Sequence, residues 1–366
     1  MTADTVGGVW AYAVELARAL APGGVEIALA TMGAPLSPEQ SAEIAPLSHV
    51  SVFQSGYKLE WMEEPWDDVA RAGDWLLDVE RRVRPDVIHL NGDFAHGALP
   101  WRAPTLVAGH SCVLSWWEAV HGEAAPEREW CRYKREVARG LRAADAVAAP
   151  TAALGDALLR HYGPFHGDVR IVPNARDAAR FPPGPKEPFV LSAGRLWDAA
   201  KNVAALSAVA PGLPWPVCVA GEDRHPDGGR ARHDNVRLLG RLAPSDLAGW
   251  MARAAIYALP ARYEPFGLSA LEAGLAGCAL VLGDIGSLRE VWGADAALFV
   301  PPDDPPALEA ALRRLIADPA LRAEMAARAR GRALEFTPER MAAGYLEIYR
   351  RLAAGREGEG AGKCFP

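Results

Sequence analysis

Cysteine, excess positive charge and long apolar runs are all missing or scarce in this 366-residue sequence. Its five cysteines are scattered without CxxC spacing, which indicates reduced thiols rather than a disulfide framework. The net charge of −7 argues against a protein that binds nucleic acid by neutralising phosphates. No apolar run reaches the roughly 18 residues that span a bilayer, and the N-terminus lacks the cationic start and apolar block of a secretory signal. We therefore expect a cytoplasmic protein without a transmembrane segment.

Length and patterning predict two domains of the α/β class. Half of the residues are hydrophobic, and a domain usually has about 100–200 residues. Short apolar runs recur between longer stretches of helical periodicity, notably at 67–83 and 127–143. This alternation is typical of parallel sheets that helices cover on both faces. We predict two doubly wound domains with parallel sheets, over residues 1–174 and 188–337. The segment 173–188, rich in proline and turn residues, is interpreted as the linker between them.

The two ends of the chain lead to three further expectations. The predicted helix 338–354 exceeds what the second sheet needs, so we expect it to pack back on the first domain. The tail 355–366 is expected to be disordered. Only MTADT precedes the glycine pair Gly7-Gly8, so the first strand of the first domain, which is central in a doubly wound sheet, is expected to be partly truncated.

Candidate catalytic residues gather in the segment 261–292, which follows an apolar strand. Open α/β sheets bind ligands at the carboxyl ends of their strands. Pro265 fits the first turn of a helix, and Phe266-Gly267-Leu268 would offer the free N–H groups of that turn to a phosphate. Glu264 and Glu272 are expected on roughly the same side of the helix, two turns apart. Two carboxylates beside a phosphate site suit hydroxyl groups, as on a sugar or a ribose.

A second polar group follows the first strand of the second domain. Gly194 and Arg195 come directly after that strand and Lys201 precedes a helix, which places two cations at the same sheet edge. A planar guanidinium and a mobile ammonium can together neutralise a leaving diphosphate. Arg241-Leu242 follow a neighbouring strand. A nucleotide base could rest on backbone there.

Several motifs occur in a fixed order along the chain. SAGRL is followed by a lysine, then by EPFGLSALEAGLAG with its E-x7-E pair, then by GDIGS and LREV. PNARDAARF matches the pattern PNGVDxxRF apart from two positions, one of them Ala175 in place of glycine. Together with TVGGVWAYAVELARAL at the start, this order resembles retaining glycosyltransferases of family 4 over nearly the whole chain. The resemblance implies the GT-B architecture, two Rossmann-like domains whose parallel sheets face a central cleft.

The resemblance also implies roles for residues of the second domain. The donor would be a nucleotide-diphosphate sugar, bound without a metal or other cofactor. Glu272 would hold the ribose hydroxyls and Glu264 those of the donor sugar, while Arg195 and Lys201 would stabilise the diphosphate beside the backbone of Phe266-Gly267-Leu268. Transfer would retain the anomeric configuration through front-face attack, in which the acceptor hydroxyl loses its proton to the departing phosphate.

For the first domain the resemblance implies donor contacts and an acceptor site. Gly7 and Gly8 would face the phosphates, and His110 would be aimed at the donor sugar. A core histidine satisfied by backbone is the alternative interpretation of His110. Trp116 and Trp117 are the aromatic pair expected to contact the acceptor, which is a glycan, a lipid-linked molecule or a small molecule; the other tryptophans are expected in the core.

Plainer explanations exist for several of these features. The two glutamates could be surface acids, and the two cations could form a surface ion pair. A zinc site from His110, Cys112, His121 and Cys131 fits no common structural spacing, so no metal is predicted. The basic stretch 128–145 is expected to be a solvated helix face, although peripheral contact with anionic lipid at the inner face of a membrane stays open.

Two functions other than glycosyl transfer are considered as alternatives. One is a nucleotide-sugar 2-epimerase of the same architecture, which would need acid and base side chains near the sugar ring. It would release an epimerised nucleotide sugar without any acceptor. The other is a non-catalytic module that binds nucleotide sugars without turnover.

Overall fold

A computed structural model of the chain describes residues 1–165, 168–224, 228–229 and 231–360. The chain divides into two compact units. The first unit comprises residues 1–115, 124–174 and those from 338 onward, and the second comprises residues 116–123 and 175–337. Residues 116–123, which the sequence analysis assigned to the first domain, therefore group with the second unit.

Within the described residues, the first unit contains seven strands in two parallel sheets, ordered β1-β2-β3 and β4-β5-β6-β7. The strands are β1 (Thr2–Asp4), β2 (Ile27–Met32), β3 (Val50–Gln54), β4 (Ile88–Asn91), β5 (Thr105–Ala108), β6 (Ala146–Ala149) and β7 (Arg170–Ile171). The helices that precede the second unit's main segment are α1 (Gly8–Leu20), α2 (Pro38–Ile44), α3 (Trp66–Val83), α4 (Val113–His121), α5 (Glu127–Ala143) and α6 (Ala152–Tyr162), with short 3₁₀ turns at Ala21–Gly23 and Phe94–Ala98.

The short strand β1 joins the two sheets of the first unit. It pairs in parallel with β2, with Thr2 opposite Ala30. The backbone N–H of Asn91 donates to Thr2 Oγ1 and its side-chain amide donates to the Thr2 carbonyl, both at 2.9 Å. Ala3 is fully buried. The residues MTADT thus form an ordered strand between β2 and β4, and the loop that follows leads directly into α1.

The last helix, α13 (Pro338–Gly360), belongs to the first unit. Its Tyr345 ring lies 6.1 Å from the ring of Tyr12 and 5.0 Å from that of His89. Tyr349 Oη is 2.6 Å from His89 Nδ1. The helix is described through Gly360, the disorder expected from residue 355 onward stays a prediction, and residues 361–366 lie outside the described residues.

The second unit is built on one six-stranded parallel sheet, ordered β10-β9-β8-β11-β12-β13. Its strands are β8 (Glu187–Ala193), β9 (Val217–Ala220), β10 (Arg237–Gly240), β11 (Ala254–Leu259), β12 (Ala279–Gly283) and β13 (Leu298–Val300). Its helices are α7 (Val203–Val209), α8 (Pro244–Arg253), α9 (Leu268–Leu275), α10 (Gly286–Trp292), α11 (Pro305–Ala317) and α12 (Pro319–Ala333), with 3₁₀ turns at Ala178–Arg180, Ala199–Lys201 and Ala210–Gly212.

The order of this sheet decides which loops become neighbours. Strands β8 and β11 are adjacent at its centre, with Tyr257 opposite Leu191, and every residue of β11 is buried. The Tyr257 hydroxyl donates to the carbonyl of Ala193, the last residue of β8, at 3.2 Å. The loops after β8 and β11 therefore leave the sheet side by side, at the edge where doubly wound proteins bind ligands.

Candidate functional site

The loop after β11 differs from its prediction in one respect that changes the site. Helix α9 begins at Leu268, and Gly267 precedes it in the left-handed region with φ of 90°. Pro265 lies in the bend before the helix rather than in its first turn. The expectation for Pro265 is therefore wrong, and Glu264 lies in the loop four residues before the helix, so helical periodicity does not relate it to Glu272. The Gly267 N–H donates to Glu264 Oε1 at 3.0 Å, so one of the predicted anion-binding donors holds the catalytic candidate itself.

Glu264 is held from three sides. Its Oε2 accepts from Lys201 Nζ at 2.6 Å, and its backbone carbonyl accepts from the Ser287 hydroxyl at 2.5 Å. The Lys201 and Glu264 side chains are only 15% and 14% exposed. Lys201 closes a 3₁₀ turn after β8, so this ion pair joins the two central loops of the sheet. Lys201 and Glu264, which were predicted to lie at the same edge of the sheet, are in direct contact there.

Asp198 is a residue that the sequence analysis missed. It is buried, and one carboxylate oxygen accepts from Arg195 Nη2 at 2.7 Å. The other accepts from the Trp116 indole N–H at 2.9 Å and from the Ala200 N–H at 3.0 Å. Burial alone would raise the pKa of Asp198, but the charges of Arg195 and Lys201 and these hydrogen bonds hold it below its usual value. A carboxylate three residues after an arginine in a strand-end loop was the available signal.

Arg195 keeps a partly exposed side chain despite this contact. Its guanidinium lies over the Trp197 ring, 5.1 Å from the centroid, and its side chain is 37% exposed. Gly194, just before it, packs against the stem of Lys201, because a Cβ there would lie 3.4 Å from Lys201 Cγ. Stacking and the carboxylate together fix the orientation of the guanidinium while leaving part of it open to a ligand.

Glu272 lies in the middle of α9 and is paired with a second residue that the sequence analysis missed. Arg176 Nη2 is 2.5 Å from Glu272 Oε1, and the two side chains are 8% and 9% exposed. Arg176 comes from the predicted linker, 96 positions earlier in the chain. No local pattern predicts this contact, since the two residues share no motif.

The backbone next to these side chains is tightly packed. A Cβ at Gly221, whose φ is 146°, would collide with the Gly194 carbonyl. Phe266 is buried with its ring 5.5 Å from that of Phe336. Arg241 is exposed and Leu242 half-buried where β10 ends, two strands away from β8.

In the first unit, Gly7 and Gly8 form the N-terminus of α1. Gly7 is the N-cap residue in an extended conformation, and Gly8 is exposed. The first turn of α1 carries no acidic residue. Its N–H groups and helix dipole are therefore of the type that favours an anion.

His110 follows β5 in the first unit and is half-buried. Its Nε2 is 2.9 Å from Asn91 Oδ1, and its ring lies 4.3 Å from the ring of Tyr12. Burial lowers the pKa of His110 to about 3, so the imidazole is neutral at physiological pH. A neutral ring fixed by an amide oxygen can offer a directed hydrogen bond, but it cannot supply a charge.

Two buried carboxyl groups of the first unit were also missed. Glu60 accepts from the N–H groups of Phe94 and Ala95, at 3.2 and 3.0 Å. Burial nevertheless raises the pKa of Glu60 to about 8, and burial raises that of Asp93 to about 7. Asp93 has a left-handed backbone with φ of 41° just after β4. Both groups hold protons at a pH where exposed carboxyls are ionised.

The aromatic pair predicted to contact the acceptor is half-buried in the second unit. Besides donating to Asp198, Trp116 lies 6.3 Å from Trp117, whose ring is 4.3 Å from that of the exposed His121. Cys131 of the zinc hypothesis is an exposed free thiol. Within the described part of the chain, no group of three or more His, Cys, Asp or Glu side chains is arranged to hold a metal ion.

Comparison with known proteins identifies the class of protein to which this chain belongs. The family described as "Glycosyl transferases group 1" matches residues 175–332, and "Glycosyltransferase Family 4" matches residues 6–180. The glycogen synthase of Mycobacterium tuberculosis (strain ATCC 25618 / H37Rv) is 31% identical over 308 residues, which cover 76% of this chain and 72% of that protein. The D-inositol 3-phosphate glycosyltransferase of Kineococcus radiotolerans is 28% identical, over 96% of this chain and 92% of its own.

Solved structures give the same fold. A sucrose-phosphate synthase from Thermosynechococcus elongatus superimposes with a TM-score of 0.79 at 23% identity, over 94% of this chain and 93% of that one. Anabaena Alr3699/HepE in complex with UDP-glucose gives a TM-score of 0.73 at 17% identity, over 96% and 100%.

The chain is an α/β protein of the GT-B fold and belongs to the group 1, family 4 glycosyltransferases. It is an enzyme of the hexosyltransferase type. Both the predicted family and the predicted fold class are confirmed. None of the helices in the described residues is both long and apolar enough to span a bilayer.

Proposed function

We propose that this glycosyltransferase moves a hexose from a nucleotide-diphosphate sugar to a hydroxyl group, with retention of the anomeric configuration. The observation that supports this most strongly is the Lys201–Glu264 ion pair at the carboxyl ends of β8 and β11. It keeps a cation for phosphate and a carboxylate for sugar hydroxyls within one hydrogen bond of each other. Arg195, partly exposed and fixed by Asp198, supplies a second cation on the same loop.

In the proposed reaction, the bond between the anomeric carbon and the diphosphate oxygen breaks while the acceptor oxygen attacks the same face of the sugar. The acceptor proton passes to the departing phosphate oxygen, so no separate general base is needed. Lys201 and Arg195 stabilise the negative charge that grows on the diphosphate. The reaction is proposed to need no metal ion.

The residues proposed to bind the donor divide between its sugar, its ribose, its phosphates and its base. Glu264 would accept from hydroxyls of the donor sugar, Glu272 from the ribose hydroxyls, and the backbone of Phe266-Gly267-Leu268 would lie beside the phosphates. Gly194 would let the diphosphate approach the backbone after β8, and Arg241-Leu242 would lie beside the base.

The remaining roles rest on the resemblance alone. For Gly7, Gly8 and His110 the donor contacts described above stay predictions, as does acceptor contact by Trp116 and Trp117.

The choice of substrates is guided by the relatives. Anabaena Alr3699/HepE has been solved with UDP-glucose, so UDP-glucose is the first donor to test. The names glycogen synthase and D-inositol 3-phosphate glycosyltransferase indicate carbohydrate or polyol acceptors in those proteins. We propose an acceptor of the same chemical class, a glycan or a phosphorylated sugar or polyol, in free or lipid-linked form.

The test begins with nucleotide binding. The melting temperature is measured against UDP, GDP, ADP and dTDP, for the natural protein and for Glu272→Ala and Lys201→Ala. One nucleotide is expected to raise it by an amount that grows with concentration, because a ligand that binds only the folded state stabilises it. Both variants should weaken that rise. A cooperative melt that no nucleotide shifts would contradict the donor-site assignment.

Transfer itself is followed with the matching nucleotide hexoses and a panel of sugar and polyol acceptors. The anomeric proton coupling of the product reports retention, and added EDTA tests independence of metal. Release of an epimerised nucleotide sugar without acceptor would support the epimerase instead. Tight nucleotide binding with no turnover across the panel would support the non-catalytic module.

A further inference from the structure

Arg176, which forms a buried ion pair with Glu272, has no role in the proposed reaction. Its two side chains are among the least exposed charged groups of the second unit, at 8% and 9%. Removing two charges from water costs several kcal/mol, and a buried pair is no better for stability than apolar residues of the same volume. A buried pair beside a proposed ligand site therefore calls for a reason other than stability.

The backbone around Arg176 is fixed by the elements that frame the site. Its N–H donates to the Phe336 carbonyl at 3.4 Å, and the Phe336 ring packs against Phe266, two residues before α9 begins. Asp177 caps the following 3₁₀ turn by accepting from the Ala179 N–H at 2.9 Å. The guanidinium therefore starts from a rigid backbone.

Glu272 is equally constrained on its own helix. The α9 residues from Ala270 to Leu275 are buried, and a Cβ at Gly274 would lie 2.6 Å from the Trp292 ring, so the helix packs closely against α10. The carboxylate can rotate only about its own side-chain bonds. A carboxylate has about four lone-pair positions, so it can accept from an arginine and from hydroxyl groups at once.

The motif that this segment resembles has no charge at the position of Arg176. In the pattern PNGVDxxRF, valine stands where this chain has Arg176. An apolar residue in that position would leave the carboxylate of Glu272 without its counter-charge.

We propose that Arg176 is a positioning residue for the donor ribose, orienting the Glu272 carboxylate to accept from the ribose hydroxyls. This inference rests on the proposed function, because it takes Glu272 as the ribose-binding group. Arg176 itself touches no reacting atom. Its contribution is to fix one carboxylate oxygen so that the hydroxyls meet an acceptor of defined direction.

The test measures how strongly the site distinguishes a ribose from a sugar without hydroxyls. Dissociation constants are determined for the best-binding nucleotide among UDP, GDP and ADP, for its 2′,3′-dideoxy counterpart and for inorganic pyrophosphate. The ratio of the dideoxy to the ribonucleotide constant reports the ribose contact. Hydrogen bonds to charged groups contribute about 1.5–3 kcal/mol, so a ratio of about ten or more is expected for the natural protein.

Four variants and a control separate the possibilities. Glu272→Gln and Arg176→Met should each bring the ratio close to one, and the double variant should lower it no further. Arg176→Lys should restore most of it, because a cation returns. Pyrophosphate affinity should stay within about twofold throughout. Arg289→Met is the control, because it removes the exposed contact with Asp284 and should leave the ratio unchanged.

The outcomes distinguish this inference from the proposed function. A ratio that falls in Glu272→Gln but persists in Arg176→Met, or in Arg176→Gln if the methionine variant does not fold, overturns the role of Arg176 and leaves the ribose assignment intact. A ratio that persists in Glu272→Gln shows that the ribose assignment fails, and the inference fails with it. A ratio near one in the natural protein has the same meaning.

Discussion

Replacing Lys201 by methionine tests whether the Lys201–Glu264 pair is a structural and functional unit. Methionine keeps most of the apolar stem but removes the ammonium, which leaves Glu264 14% exposed with only the Gly267 N–H as a donor of known position. Breaking a fully buried pair costs about 3–5 kcal/mol. Since each side chain keeps about one seventh of its exposure, we expect a loss of about 2–3 kcal/mol.

For a unit of this size, 1 kcal/mol corresponds to about 2–4 °C in melting temperature. The Lys201→Met variant should therefore melt about 5–10 °C below the natural protein in differential scanning calorimetry. The double variant Lys201→Met with Glu264→Gln should lose less than the sum of the two single variants, with a coupling of at least about 1 kcal/mol. This non-additivity is expected because the second change removes the charge that the first left unpaired.

Activity gives the second readout of the same change. If Lys201 stabilises the leaving diphosphate, Lys201→Met should lower kcat by about 10²–10³. Lys186 is a matched control in the same unit, because its ammonium binds the carbonyls of Ala252 and Ala276 rather than a carboxylate. Lys186→Met should reduce stability and leave kcat unchanged. A Lys201→Met variant that melts within 1 °C of the natural protein, with additive effects in the double variant, would refute the reasoning.

Three further predictions use the same unfolding measurements. Trp116→Phe removes the indole donor from the ionised Asp198, so it should cost about 1–2 kcal/mol; an unchanged melt would show that water replaces it. Gly267→Ala forces a side chain into a φ of 90° and should cost about 2 kcal/mol, whereas Gly331→Ala, in an open helical position, should be neutral or stabilising. Because burial raises the pKa of Glu60 to about 8, its contribution is complete below about pH 4.5 and is lost as pH rises to 8. Glu60→Gln should therefore flatten the fall in stability over that range, and an unchanged slope would contradict the buried, protonated carboxyl.

Regular elements were predicted well where periodicity and burial agree. The helix expected at 127–143 is α5 (Glu127–Ala143), and the helix expected at 67–83 begins one residue earlier. Both have one apolar face and one charged face, which is the pattern that periodicity detects. The buried strands also fall within a few residues of their apolar runs. The local sequence specifies where these elements begin and end, and packing against neighbouring elements adds little to that information.

Local rules failed where a side chain redirects the backbone. Proline at position 265 indicated the first turn of a helix, yet the helix starts at Leu268. The Glu264 carboxylate captures the Gly267 N–H, and glycine accepts the left-handed conformation that this contact needs. A helix start that depends on one side-chain hydrogen bond and one backbone conformation leaves no periodic signal.

Contacts between residues far apart in the sequence could not be predicted from local patterns. Asp198 and Trp116 are 82 positions apart, and Arg176 and Glu272 are 96 apart. The sequence placed Arg195, Lys201, Glu264 and Glu272 at strand ends because the parallel sheet brings such ends to one edge. It could not show which cation would face which carboxylate, since that depends on side-chain directions in the folded loops.

The resulting arrangement is electrically balanced. Three of the ion pairs described in the second unit join the residues of the proposed site: Arg195 with Asp198, Lys201 with Glu264, and Arg176 with Glu272. The free-energy cost of desolvating these charges arises when the protein folds. Under the proposed function, the cations are therefore in position before the donor binds, and donor binding does not have to order them. Each cation is held by a carboxylate that also limits how strongly it attracts phosphate. Catalysis then depends on the direction of a few fixed charges as negative charge moves onto the diphosphate, rather than on a strongly positive surface that would hold substrate and product alike.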